Sequence, residues 1–315
     1  MFINSTGFYI PNDRISNEYF LRVNGLTSDW IYQRTGILTR SKASEEETMD
    51  VMCIRAAKNA VAVLPYDIKT VDLIIFASYT PTDTVGTTAH IIQREFGIEN
   101  AKAFYLSSAC SSAINSIEII QSFFATGKAC RAMLITADRN TTYINESDPQ
   151  SGHLWGDAAA VFFFSKERHS SSEAKVVDVD SHGLGHIGYG PAGVYLNPKG
   201  TGLMMPQGRD VFLHACTQIA QRAKEIVERN GMSIDQLTWL IGHQANMRIL
   251  TQVTKTLGIP EEKSLSNIAE LGNTGSVSAM LVYAQNLEKF KKGDTVCLSV
   301  FGGGYSAGAC LIRIG

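Results

Sequence analysis

The segments Asp67-Ile68-Lys69-Thr70-Val71-Asp72-Leu73-Ile74-Ile75 and Ser233-Ile234-Asp235-Gln236-Leu237-Thr238-Trp239-Leu240-Ile241 read as two copies of one pattern. Each starts on polar turn chemistry and runs into apolar residues suited to a buried strand. Each follows a long amphipathic stretch, 45–63 or 210–230. Each precedes a helical stretch that closes on similar residues, Phe96-Gly97-Ile98 and Leu257-Gly258-Ile259. A repeat restricts a fold more than any single motif, because each copy must be the same kind of unit. The expected product is a duplicated α/β chain, with two sheets around shared buried helices. The 315 residues suffice for two such halves, placed at 1–168 and 169–315.

Apolar spacing predicts strands over 3–10, 71–77, 102–106, 131–138, 156–164, 174–179, 236–241, 295–300 and 307–314. It predicts helices over 17–23, 45–63, 87–96, 114–124, 210–230, 247–257 and 277–290. A helix from Ser28 has N-cap chemistry at its start and Gly36 as its stop. Strand 102–106 reads as buried. Helices 114–124 and 277–290 take matching places in the two halves. Both begin on small residues, as helices in close buried contact need.

Composition excludes several function classes. A net charge of −2 leaves no electrostatic footprint for nucleic acid. No apolar run reaches membrane-spanning length. The start, MFINSTGFYIPNDR, lacks the basic-then-apolar pattern of a signal peptide. The cysteines (Cys53, Cys110, Cys130, Cys216, Cys297, Cys310) are scattered without a CxxC pair. That spacing fits a reduced, cytoplasmic chain with neither a disulfide framework nor a metal site.

The chemistry gathers at strand ends. Cys110, in Ser107-Ser108-Ala109-Cys110-Ser111-Ser112-Ala113, sits where a strand turns into a helix. A helix N-terminus stabilises an anion, so the thiol pKa is expected to fall there. A buried, inert cysteine is the alternative. His243 follows an apolar strand, where open α/β folds place ligand crevices. Asn273 lies in Gly272-Asn273-Thr274-Gly275, and Phe301-Gly302-Gly303-Gly304-Tyr305 is a glycine bend. Bare backbone in that bend could donate an N–H to an oxyanion. His90, His153, His169, His182, His186 and His214 read as structural or surface residues, and Asp157 as a turn former. Cysteine, histidine and asparagine together suit nucleophilic catalysis. A cysteine protease uses the same three residue types, so types alone leave acyl transfer and proteolysis both open.

In combination the motifs become specific. The chain resembles the β-ketoacyl-acyl-carrier-protein synthase III family of thiolase-like condensing enzymes, nearly end to end. The resemblance rests on Asp29-Trp30-Ile31 with Arg34-Thr35-Gly36-Ile37, Ser108-Ala109-Cys110, His243-Gln244-Ala245-Asn246 with Arg248-Ile249, Gly272-Asn273-Thr274, and Phe301-Gly302-Gly303-Gly304. It implies a five-layer αβαβα fold from two duplicated halves. It also implies a decarboxylating Claisen condensation. Cys110 would carry an acyl group, and His243 and Asn273 would hold the carbonyl of a malonyl-carrier substrate. Backbone N–H groups of Cys110 and Gly303 would form the oxyanion hole. Trp30, Arg34, Gly208, Phe212, Asn246 and Arg248 would line the tunnel for coenzyme A or the phosphopantetheine of acyl carrier protein. No other cofactor is implied, and the usual state is a homodimer.

Two departures stand out. The family's typical arginine, which clamps adenine against the tryptophan, has no counterpart in Asp148-Pro149-Gln150-Ser151-Gly152-His153. The residue that caps the partner's acyl pocket, often aromatic, is Val85. Both changes suit a specialised pathway whose primer comes from a carrier protein. Two other readings compete. One is an acyltransferase that moves the Cys110 acyl group to an alcohol or amine without decarboxylation. The other is a non-catalytic partner subunit, which the intact Cys110, His243 and Asn273 disfavour.

Overall fold

The two copies fold alike. Ile68–Thr70 makes a 3-10 turn that leads into strand Leu73–Ala77, and Ile234–Gln236 makes one that leads into strand Trp239–Gly242. A computed structural model describes all residues, 1–315. In order the elements are β1 (Phe2–Tyr9), β2 (Asp13–Ser16), α1 (Asn17–Asn24), α2 (Ser28–Thr35), β3 (Thr39–Lys42), α3 (Met49–Val61), β4 (Leu73–Ala77), α4 (Thr88–Glu95), β5 (Lys102–Leu106), α5 (Ser112–Ala125), β6 (Arg131–Arg139) and β7 (Asp157–Ser165). Then come β8 (Ala174–Gly183), β9 (Tyr195–Asn197), β10 (Gly202–Met204), α6 (Gly208–Arg229), β11 (Trp239–Gly242), α7 (Met247–Leu257), α8 (Ile268–Leu271), α9 (Ser278–Gln285), β12 (Thr295–Gly302) and β13 (Ser306–Arg313).

Hydrogen bonding joins nine strands in the order β11-β12-β13-β8-β1-β7-β6-β4-β5. The two expected sheets are therefore one run. They meet at β1 and β8 through just Phe2↔Lys175 and Ile3↔Ala174. The run folds over at that join. Helix α5 packs on β4 and β6 from one limb and on β8 and β13 from the other, and α9 packs on β1, β7, β11 and β12. Helices α3 and α4 cover one outer face, and α6 and α7 the other. The result is five layers, αβαβα. Helices α5 and α9 are apolar on every side that matters, as a helix between two sheets must be. Ile114, Ile117 and Ile120 of α5 and Met280, Leu281 and Val282 of α9 are all buried. Each contributes about 1.5–3 kcal/mol over an exposed side chain. No helix is long and apolar enough to cross a membrane.

Several elements differ from expectation for identifiable reasons. Helix α3 begins at Met49, not Glu45, because Thr48 is its N-cap and accepts the Val51 N–H. Glu47 turns back instead, taking the Ser44 N–H at 2.8 Å and the Tyr9 hydroxyl. The stretch 277–290 is not one helix. It opens as a 3-10 turn, Gly275–Val277, continues as α9, and breaks at Asn286, whose side chain takes the Val282 carbonyl. Strand β5 is half-buried, not buried, because it is an edge strand and pairs with β4 alone.

Candidate active site

Strands β4, β5 and β6 run parallel, and so do β11 and β12. Chemistry-bearing residues follow their C-terminal ends, the usual place for a ligand crevice in α/β folds. A cavity of about 450 Å³ opens there. Its wall includes Cys110, His243, Asn273, Gly303, Trp30, Arg34, Gly208, Phe212, Asn246 and Arg248. Every candidate site residue but one is thus in a single cavity. The exception, Val85, lies on the loop between β4 and α4 and is 86% exposed.

Cys110 sits on a tight turn between β5 and α5. Ala109 before it has φ of +49°, the left-handed region that L-residues avoid, at a cost of about 1 kcal/mol or more. The turn is held across the two halves. Ser306 Oγ lies 3.1 Å from the Ser108 carbonyl and 2.8 Å from Ser111 Oγ. A Cβ on Gly302 would stand 2.7 Å from the Cys110 nitrogen, so only glycine lets the bend approach Cys110. The backbone N–H groups of Cys110 and Gly303 lie close enough to the sulfur to favour its thiolate.

The expected fall in the thiol pKa does not occur. Burial pushes the Cys110 thiol well above its ordinary value, and the Asp138 carboxylate adds to the rise. The Tyr79 hydroxyl and the two N–H groups oppose it. The physical reason is that α5 starts only at Ser112, while the protein around the sulfur strips a charge there of its water.

His243 and Asn273 are aimed by the segment that follows Asn273. Asn273 Oδ1 accepts the Gly275 N–H at 3.0 Å, so its Nδ2 is left to face the cavity. His243 Nδ1 lies 2.7 Å from Ser278 Oγ. Burial lowers the His243 pKa from 6.5 to about 4, so the ring is neutral at pH 7. Two such groups can donate hydrogen bonds to one ligand oxygen without carrying charge. Backbone pairing fixes Asn273 itself: its N–H bonds the Leu154 carbonyl at 2.8 Å, and its carbonyl takes the Gly156 N–H at 2.9 Å.

The mouth is basic and aromatic. The Arg34 guanidinium lies 4.2 Å over the Trp30 ring, and the Arg248 guanidinium 5.7 Å from the Phe212 ring. Asn246 caps α7 through the Arg248 N–H and ties it to α2 by donating to the Arg34 carbonyl at 3.0 Å. Gln150 and His153 line the cavity in the stretch that lacks the clamp arginine. Of the structural and surface readings given to His153, the structural one fits: it is buried, and its ring meets Trp30 edge-on at 5.7 Å. Arg40 holds its carbonyl through two hydrogen bonds.

Sequence reasoning missed Tyr79, Asp138, Ser278 and Arg209. Tyr79 and Arg209 line the cavity. Asp138 is fully buried near the end of β6, and a carboxylate closing an apolar strand was the available signal. Ser278 looked like one more small residue at a helix start. Asp157 is structural: it receives the Ala43 and Thr141 N–H groups, while burial raises its pKa to about 6. No three His, Cys, Asp or Glu side chains gather in a metal-holding arrangement.

Comparison with known proteins agrees with this geometry. The 3-oxoacyl-[acyl-carrier-protein] synthase III family matches residues 104–183, and its C-terminal part matches 227–314. A β-ketoacyl-[acyl-carrier-protein] synthase III of Clostridium perfringens (strain 13 / Type A) is 32% identical over 317 residues, covering 98% of this chain and 97% of that one. The crystal structure of 3-oxoacyl-[acyl-carrier-protein] synthase III from Aquifex aeolicus VF5 superposes with a TM-score of 0.92 at 29% identity, covering 99% of each chain. The priming β-ketosynthase of the R1128 polyketide pathway superposes at 0.89 with 26% identity, covering 99% of this chain and 95% of that one. The protein belongs to the β-ketoacyl-acyl-carrier-protein synthase III family.

Proposed function

We propose that this chain joins an acyl group held on Cys110 to a malonyl group carried by acyl carrier protein, with loss of CO2. One observation carries the assignment of roles. Two neutral donors, His243 and Asn273, face the cavity that also holds a sulfur flanked by two backbone N–H groups.

In the first stage Cys110 Sγ attacks an acyl thioester, the carrier thiol leaves with the proton, and acyl-Cys110 remains. In the second, the malonyl carboxylate departs as CO2. Its electron pair becomes an enolate whose oxygen takes hydrogen bonds from His243 Nε2 and Asn273 Nδ2. The enolate carbon then attacks the acyl carbon. The tetrahedral oxyanion is held by the N–H groups of Cys110 and Gly303, and collapse expels the Cys110 thiolate. Negative charge appears only on the reaction path, so preformed donors stabilise the transition state more than the ground state.

Trp30, Arg34, Gly208, Phe212, Asn246 and Arg248 are proposed to receive the pantetheine arm of coenzyme A or of the carrier protein. No further cofactor is proposed. The halves are assigned to 1–168 and 169–315, in keeping with the strand order. A homodimer is proposed on the exposed edge of β5, with Val85 reaching the partner's acyl pocket. The proposed location is the cytoplasm, where the free cysteines stay reduced.

The test is intact-mass detection of acyl-Cys110 followed by labelled CO2 release on adding malonyl-carrier protein. Acyl transfer to an alcohol or amine with no malonyl substrate would replace this reading with the non-decarboxylating one.

A further inference from the structure

We propose that Ser278 is a positioning residue that fixes the proton of His243 on Nε2, the nitrogen facing the cavity. The proposal rests on the reading of His243 as a donor to the malonyl carbonyl.

Ser278 is the first residue of α9 and is 1% exposed. Its Oγ lies 2.7 Å from His243 Nδ1 and also receives the Gln244 N–H at 3.4 Å. Two proton arrangements are conceivable. If Nδ1 carried the proton, the Ser278 oxygen would accept twice and its own O–H would face no acceptor in a buried place. Buried polar groups are rarely left so. If Ser278 donates to Nδ1, every group is satisfied and the ring proton sits on Nε2. Nε2 makes no hydrogen bond within the protein, yet it is not among the buried polar atoms without partners. It therefore opens on the cavity that His243 lines. Burial keeps the ring neutral, so which nitrogen holds its one proton decides whether the ring can donate at all.

The same segment aims the other donor. Gly275 takes Asn273 Oδ1, and Ser276 anchors the segment by donating to Asp138 Oδ2 at 2.6 Å. A glycine is required at 275: φ is +70°, and a Cβ would stand 2.4 Å from Asp138 Oδ2. Residues 275–278 thus form one rigid piece that sets the orientation of both donors.

The test uses the full-length enzyme labelled with ¹⁵N-histidine, with the His243 signals assigned by comparison with His243→Ala. Ring ¹⁵N shifts report which nitrogen is protonated. The wild type should show the proton on Nε2, and Ser278→Ala a mixture of tautomers. Acylation of Cys110 should be unchanged in Ser278→Ala, which also shows that the variant folds. Its kcat for malonyl decarboxylation should fall roughly ten- to a hundredfold, with little change in KM. Ser278→Thr, which keeps a hydroxyl, should restore the Nε2 proton. A wild-type proton on Nδ1 would overturn the proposal without recourse to any variant. So would a Ser278→Ala enzyme that keeps a pure Nε2 tautomer and full decarboxylation. A wild type that acylates Cys110 but never releases CO2 would defeat the functional reading instead, and the ring shifts would still decide the role of Ser278.

Discussion

Asp138 Oδ2 accepts the Ser276 N–H at 2.6 Å, and this bond joins the first half of the chain to the segment that aims His243 and Asn273. Its other oxygen receives Ser78 Oγ, the Tyr79 and Thr80 N–H groups, and Thr80 Oγ1. Asp138→Ala should cost ~3–5 kcal/mol in urea unfolding, because several buried donors lose one acceptor together. Asp138→Asn should cost less. It should also lower the Cys110 thiol pKa, since the lost negative charge was helping to raise it. The pH dependence of iodoacetamide alkylation checks this; an unchanged profile in a folded Asp138→Asn protein contradicts it.

The two stages should separate by mutation. Cys110→Ser should abolish condensation, a hydroxyl being a far poorer nucleophile than a thiolate. Asn273→Ala should still form acyl-Cys110 while decarboxylation drops about 10²–10³-fold, the usual loss for one oxyanion donor. Mass spectrometry and CO2 release read the two stages independently. Failure of folded Asn273→Ala to acylate would reassign Asn273 to the first stage.

Tyr79 gives a prediction of opposite sign to Asp138. Its hydroxyl bonds Asn140 Oδ1 at 2.6 Å and also holds the Cys110 pKa down. Tyr79→Phe keeps the ring and removes that help. The alkylation profile should move to higher pH and Cys110 acylation should slow several-fold. Equal profiles for Tyr79→Phe and wild type would show that the hydroxyl does not reach the thiolate.

Acid should destabilise the fold through two rings. Burial lowers both His243 and His153 from 6.5 to about 4. Between those values the unfolded chain binds protons that the native state refuses. This contribution to stability is complete above pH 6.5 and is lost as pH falls towards 4. Urea midpoints across that window should show a shallower acid loss for His153→Gln. A slope identical to wild type would mean that His153 titrates normally.

At the mouth, Arg34 already lies over Trp30, and the stretch 148–153 offers no arginine to clamp an adenine. Acyl-carrier donors should therefore acylate Cys110 with higher kcat/KM than the same acyl group on coenzyme A. Added salt should shrink the preference, since charged rims act mainly on association rate. Arg248→Ala should cut the carrier-protein rate more than the coenzyme A rate. A clear preference for coenzyme A would restore an ordinary initiating role.

The duplicated architecture was legible because each copy of 67–75 and 233–241 carries its own turn and strand. The convergence of Cys110, His243 and Asn273 on one cavity was legible because each sits at a strand end or sharp turn in a recognisable motif. The supporting residues were hidden for physical reasons. Ser278 touches His243, which is distant in sequence, and Asp138 meets backbone groups from the loop after β4 and from the opposite half. The thiol pKa was misjudged because local sequence shows a helix start but not how deeply the fold buries the sulfur.

Strand β5 is one of the two edges of the sheet, and its last residue, Leu106, leads directly into the turn that carries Cys110. Whatever adds a strand to that edge takes hold of the tether of Cys110. If the proposed dimer forms at that edge, association and reactivity are inherited together: substitutions that loosen it would also blur the aim of the sulfur, and selection on either would act on both.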